Sequence, residues 1–71
     1  MTVIEAFAIN VRWELVRKGW TQVKLAEEAG VNYNSLNGIL RGHNGPSLYT
    51  AYAISEALDV TLDELTKGVD K

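Results

Sequence analysis

Seventy-one residues without a cysteine exclude a disulfide framework and a thiolate metal site, so stability has to come from one small apolar core, for which 46% apolar residues suffice. No apolar run approaches the roughly eighteen residues of a membrane span, and no basic-then-apolar export signal opens the chain, so neither membrane nor export is indicated and a cytoplasmic location is expected. The formal charge of −2 argues against binding nucleic acid by bulk electrostatics, but leaves room for one mildly basic face.

From about Glu5 to Lys18, Phe7, Val11 and Leu15 recur every four residues with Val16 beside them, which predicts a first helix that Gly19 ends. Trp20 is expected to pack between this helix and the next. Thr21 is a good N-cap for a second helix over 22–29, with Val23, Leu25, Ala26 and Ala29 as its inward face and Gly30 as its left-handed stop. Val31 plugs the turn. Asn32 can cap a third helix over 33–41, in which Leu36, Ile39 and Leu40 point inward together and leave Tyr33, Asn34, Asn37 and Arg41 outward. Gly42 to Pro46, reading G-H-N-G-P, is a loop. Ser47 caps a fourth helix over 48–58 with Leu48, Ala51, Ile54 and Leu58 buried, and Thr61 with Glu64 forms a capping box opening a short fifth over 62–66, with Leu62 and Leu65 inward. No two-residue alternation competes. The fold class is all-α, a compact five-helix arrangement forming a single domain over residues 1–71.

The stretch from Thr21 to Gly42 carries the functional signal. Two helices joined at a single glycine cannot lie antiparallel; they cross steeply and push the second outward as a probe. A probe studded with amides fits the major groove of DNA. Charge is distributed accordingly: residues 10–45 hold Arg12, Arg17, Lys18, Lys24 and Arg41 against Glu14, Glu27 and Glu28, whereas the acids Glu56, Asp59, Asp63, Glu64 and Asp70 gather in the last third. His43 adds a further donor near the centre.

The run L-V-R-K-G-W-T-Q-V-K-L-A-E-E-A-G-V-N-Y-N-S-L, followed by R-G, P-S-L and A-L-D-V-T-L-D-E-L, resembles the Cro and phage-repressor (XRE) family of helix-turn-helix proteins over roughly residues 7–66. The resemblance implies a lambda-repressor-like, Cro-type fold and a small bacterial or phage transcription regulator. Such a protein sits on the nucleoid, binds a palindromic double-stranded operator and acts as a homodimer, at least on DNA. It also implies residue roles. Asn32, Tyr33, Asn34 and Asn37 fall on base-reading positions, where an asparagine can pair bidentately with adenine and a tyrosine can meet a thymine methyl. Gln22, Lys24, Arg41, His43 and Asn44 fall where the family holds phosphates. Association is implied through the fourth and fifth helices, around Thr61 to Val69. No cofactor and no small-molecule ligand is implied.

Two positions depart from the family's pattern. Many members pair an arginine late in the first helix with a glutamate near the end of the third; Leu15 and Leu40 stand there instead, an exchange that packed cores tolerate well. Gly38 costs about 1 kcal/mol in a helix interior, which calls for close packing at that point or for close approach of DNA. His43 alone, with no cysteine and no second histidine, is a loop residue or phosphate donor and not a metal ligand. The serines and acids form no catalytic set, so no enzyme is expected. Trp13 lies off the first helix's apolar stripe and suits either the N-terminal segment or a partner surface; Tyr49 is similar, whereas Tyr52 is expected in the core. The rival reading is a helix-turn-helix interaction module, antirepressor-like or antitoxin-like, acting on another regulator. Against it, the third helix carries none of the carboxylates a DNA mimic needs.

Overall fold

The computed structural model describes residues 1–68, in which five helices follow one another as α1 (Val3–Lys18), α2 (Gln22–Ala29), α3 (Tyr33–Leu40), α4 (Leu48–Leu58) and α5 (Leu62–Leu65). Each begins at a side-chain oxygen that accepts the N–H three residues on: Thr2 from Glu5 at 3.1 Å, Thr21 from Lys24 at 3.1 Å, Asn32 from Ser35 at 3.0 Å, Ser47 from Thr50 at 3.1 Å and Thr61 from Glu64 at 3.1 Å. At both ends of the chain the box closes reciprocally, the carboxylate accepting from the Thr2 N–H at 2.8 Å and from the Thr61 N–H at 3.1 Å. The Thr2–Glu5 box is why α1 begins at Val3 and not near Glu5. Gly19 and Gly30 end α1 and α2 in the left-handed region, and Asp59 does the same for α4 at φ 59° without being glycine. Its short polar side chain is one of the few that tolerate this conformation. The third and fifth helices each stop one residue short of expectation, at Leu40 and Leu65.

Phe7, Val11 and Leu15 of α1 meet Leu25 and Ala26 of α2, Leu36, Ile39 and Leu40 of α3, Ile54 and Leu58 of α4 and Leu65 of α5 in one buried cluster. The second helix packs on α3 and α4, the first on α3 and α5. Leu15 and Leu40, the two departures from the family's ion pair, are both buried in this core. Burying a charge there would be costly unless it were paired.

Four apolar residues expected inside or along the core stripe lie outside it. Val16, Val23, Leu48 and Tyr52 are all exposed. On α2 the buried stripe is set by Leu25, Ala26 and Ala29, and Val23 falls on its flank. On α4 the fully buried positions are Ile54, Ser55 and Leu58, so the first-turn Leu48 and the off-stripe Tyr52 stay outside. Ser55 is tolerated in the core because its hydroxyl donates to the Tyr52 carbonyl at 2.7 Å. Trp20 is half-buried at the rim, its ring approached by the ammoniums of Lys18 and Lys24 at 5.7 and 5.6 Å from the centroid. Asn10 ties the ends together: its amide nitrogen donates to the carbonyls of Leu65 at 3.0 Å and Lys67 at 2.9 Å, satisfying groups that the end of α5 leaves open.

Candidate nucleic-acid interface

Only Gly30, Val31 and Asn32 separate α2 from α3. Gly30, at φ 68°, returns its N–H to the carbonyls of Ala26 and Glu27; the Val31 N–H reaches the Ala26 carbonyl at 3.0 Å, and Asn32 caps the next helix. That turn fixes the crossing of the two helices. With Leu36, Ile39 and Leu40 buried, the outward side of α3 is centred on Asn34, Gly38 and Arg41, which recur at i, i+4 and i+7. Ser35, exposed, and Asn37, half-buried, flank them. No carboxylate lies between Asn32 and Arg41.

The expected base-reading residues differ in what they have free. Asn34 is exposed and makes no hydrogen bond within the described residues. Asn32 has already committed its Oδ1 to the Ser35 N–H, and a bidentate pair with adenine needs both ends of the amide. The cap thus fixes how the amide is oriented and leaves its nitrogen and one lone pair of Oδ1 for a partner. Tyr33 is turned toward α2, where it borders a shallow depression with Val23, Ala26, Glu27 and Val31. Glu27 thus brings one carboxylate to the flank of this surface. Ser35, which no local pattern singles out, adds an exposed hydroxyl to this side of α3.

The loop after α3 folds back over the helix. The Gly42 N–H bonds the Ile39 carbonyl at 3.0 Å and the His43 N–H bonds the Gly38 carbonyl at 3.0 Å, with Gly42 at φ 78°. This paired geometry is a Schellman turn. It carries Asn44 back across α3 until its Nδ2 lies 2.9 Å from where a Cβ on Gly38 would stand. Gly38 therefore makes room for Asn44: the close packing is with the loop. Below, the Ile4 side chain sits 3.1 Å from the corresponding point at Gly45, bracing the loop on the start of α1. Arg41, His43 and Asn44 are all exposed and share this corner.

The remaining two expected phosphate contacts stand apart from it on α2. Gln22 opens the helix half-buried, its Oε1 enclosed without a hydrogen-bond partner, which leaves Nε2 as the end that can donate. Lys24 is turned to the Trp20 side, its ammonium 3.3 Å from Glu28 Oε2. The surface thus combines amides and a tyrosine with little uncompensated positive charge. Among the described residues no group of three or more His, Cys, Asp or Glu is placed to hold a metal, and no helix is long and apolar enough to cross a membrane.

Comparison with known proteins agrees with this architecture. The helix-turn-helix family model HTH_3 matches residues 11–65. Among solved structures, the restriction-modification controller protein C.AhdI from Aeromonas hydrophila superposes with a TM-score of 0.81 at 29% identity, over 87% of this chain and 94% of that one. A hypothetical transcription factor, NHTF from Neisseria, superposes with a TM-score of 0.84 at 26% identity, over 90% of this chain and 74% of that one. Among curated proteins no sequence matches. The matched span contains α2, the turn and α3 entire, and on it the chain belongs to the XRE-type helix-turn-helix family of DNA-binding transcription regulators.

Proposed function

We propose that the protein is a repressor-like bacterial or phage regulator that lays α3 in the major groove of a palindromic operator, two copies reading the two half-sites. The observation that carries this reading is the outward side of α3: Asn34, Gly38 and Arg41 with no carboxylate among them, beside a loop that folds Asn44 back onto the same side. Asn34 and Asn37 supply amides for adenine, Asn32 an amide whose orientation its cap fixes, and Tyr33 an apolar edge for a thymine methyl, so each half-site contains at least one A·T pair. Arg41, His43 and Asn44 grip the backbone at the helix end, and the Gln22 amide with the N-terminus of α2 holds a second phosphate. Lys24 contributes less, because Glu28 shares its charge. The likeness to a restriction-modification controller protein supports a small regulator.

A binding isotherm on DNA flanking the protein's own gene, repeated over a range of salt and followed by selection from random sequence, tests the proposal. The expected result is salt-dependent binding to a palindrome with an A·T preference in each half. Binding to a second regulator with no affinity for any duplex would instead establish the interaction-module reading, and selection of G·C-only sites would overturn the asparagine assignment.

A further inference from the structure

Beneath the loop that follows α3, four elements leave a half-open cleft of about 350 Å³ between them. Ile4 and Phe7 form its α1 wall and Gly45 and Pro46 its loop wall, while Ala51 of α4 and Thr66 of α5 close the far side. Phe7, 3% exposed, lies at the bottom, and Val3, 52% exposed, stands at the rim. These walls are fixed from within the chain. The Thr2–Glu5 box sets the start of α1, the ring of Pro46 restrains its own φ, and the Ser47 cap sets the start of α4. Gly45 leaves room for Ile4, whose Cγ1 lies 3.1 Å from where a Cβ on Gly45 would stand. Among the side chains lining the cleft only that of Thr66 holds a polar atom, and none is charged. The Thr66 hydroxyl donates to the Leu62 carbonyl at 3.0 Å, so its proton is spent and its oxygen can only accept. The exposed row Ile9, Trp13 and Val16 is apolar too, but its walls come from α1 alone and include the charged Arg12.

We propose that this cleft binds a small uncharged molecule of one or two rings that carries a single N–H or O–H donor. The cleft's volume falls at the small end of the roughly 300–1,000 Å³ of ligand sites, and a hydrocarbon lining with one well-placed polar atom is their usual make-up. Burial of the ring surface supplies the affinity. A charged ligand would give up its hydration with no cation or anion to receive it. The Thr66 oxygen, which can only accept, favours a ligand with a donor over one of the same shape without it. The family resemblance implies no small-molecule ligand, so the site belongs to this chain's own lining. Occupancy also bears on the α3 surface. Gly45 and Pro46 follow directly on Asn44, whose side chain lies over Gly38. A molecule that fits the cleft as it stands holds the loop in this position, and by linkage it favours any partner that uses the same position. That second step rests on the operator reading; the binding step does not.

Indole is the probe, with N-methylindole as the same shape without the donor and an indolecarboxylate as the charged counterpart. In amide nitrogen-proton correlation spectra of the full chain, indole is expected to bind saturably with a dissociation constant on the order of 1 mM. It should move the amides of Ile4, Phe7, Gly45, Ala51 and Thr66 and, through the loop, the side-chain amide of Asn44. N-methylindole should bind severalfold more weakly, and the carboxylate roughly tenfold more weakly or worse. In Thr66→Val the two uncharged probes should bind alike. Ala51→Leu fills the cleft and should abolish binding. Should that variant not fold, Val3→Glu, at an exposed first-turn position that suits an acid, should weaken indole severalfold. Shifts at Ile9, Trp13 and Val16 in place of the cleft, a carboxylate that binds as well as indole, or binding unchanged in both Ala51→Leu and Val3→Glu overturns the site. So does movement of the cleft amides on diluting the protein alone, which would show a second copy's side chain seated there. With DNA present, saturating indole should raise operator affinity severalfold, a gain that Asn44→Ala removes; unchanged affinity overturns the coupling to the loop. A chain that binds indole but no duplex refutes the operator reading and keeps the site.

Discussion

Asn34 and Arg41 sit one behind the other on the outward side of α3, and on the proposed reading their chemistry divides the work of recognition. An amide that pairs with a base edge carries sequence information; a guanidinium on a phosphate does not. Asn34→Ala should therefore cost roughly 1–3 kcal/mol on the preferred operator and relax the preference at one base pair, while Arg41→Ala should weaken every duplex alike and reduce the salt slope by about one. Isotherms on operator and random DNA separate the two; equal losses on both for Asn34→Ala would refute the division. Gly38 belongs to the same row and gives a second test. Only the far end of the flexible Asn44 side chain stands where its Cβ would go, so Gly38→Ala displaces that amide cheaply and gains up to about 1 kcal/mol of helix stability. A higher melting temperature with weakened operator binding is the expected pair of results; a lower melting temperature would mean that the loop cannot yield. The outward row was legible in the sequence because three buried positions of one helix fix the opposite side. The Asn44 contact was not, since it depends on how a five-residue loop returns across the helix, and the Asn32 cap limits a residue that spacing alone presents as a reader.

At the scale of the helices, the α1–α3 contact and the helix ends can be tested separately. Leu40 is 2% exposed and Leu15 7%, in the same core. Leu40→Glu buries an unpaired carboxylate at about 3–5 kcal/mol, against a total of roughly 4–10 kcal/mol for a domain of this length. It should therefore remove a large share of the stability and lower the melting temperature by roughly 12–40 °C, and adding Leu15→Arg should recover part of the loss. A thermal melt unchanged by Leu40→Glu would show that the site is not enclosed. The two capping boxes make a different kind of prediction. Glu5 and Glu64 are held below the ordinary carboxylate value of 4.5, chiefly because the backbone N–H of Thr2 and of Thr61 donates to the ionised form. A lowered folded-state value means that their contribution is complete above 4.5 and is lost as the pH falls through the folded-state values. Melting temperature should accordingly decline below about pH 4.5, and the Glu5→Gln/Glu64→Gln double variant, which keeps both acceptors without titrating, should flatten that decline. Caps and helix order could be read in advance because their chemistry is local. Asn10 reaching the carbonyls of Leu65 and Lys67 joins positions more than fifty residues apart, and no local pattern announces it.

For the whole molecule, the net charge of −2 and its uneven placement set how binding must respond to salt. The cations beside the α3 surface are few. Arg41 is exposed at the helix end and Lys24 is shared with Glu28, whereas Arg17, bonded to Glu14 at 2.6 Å, lies toward Glu64 of α5. Glu27 lies beside Tyr33 on the flank. On the proposed reading, counting Arg41 and Lys24 in each of two copies gives at most about four neutralised phosphates, hence a slope of log K against log salt near −4. A strongly basic domain contacting twice as many phosphates would fall roughly twice as steeply. Affinity must then come mainly from base contacts and from engaging two half-sites at once, since linking two weak readers multiplies their preference without adding charge. The consequence is measurable beyond the slope itself. A single half-site should bind poorly even at low salt, and restoring the palindrome should raise affinity by at least a hundredfold. A slope steeper than about −8, or half-sites that bind nearly as well as the full operator, would show instead that cations remote from α3 wrap the duplex and that bulk electrostatics dominates.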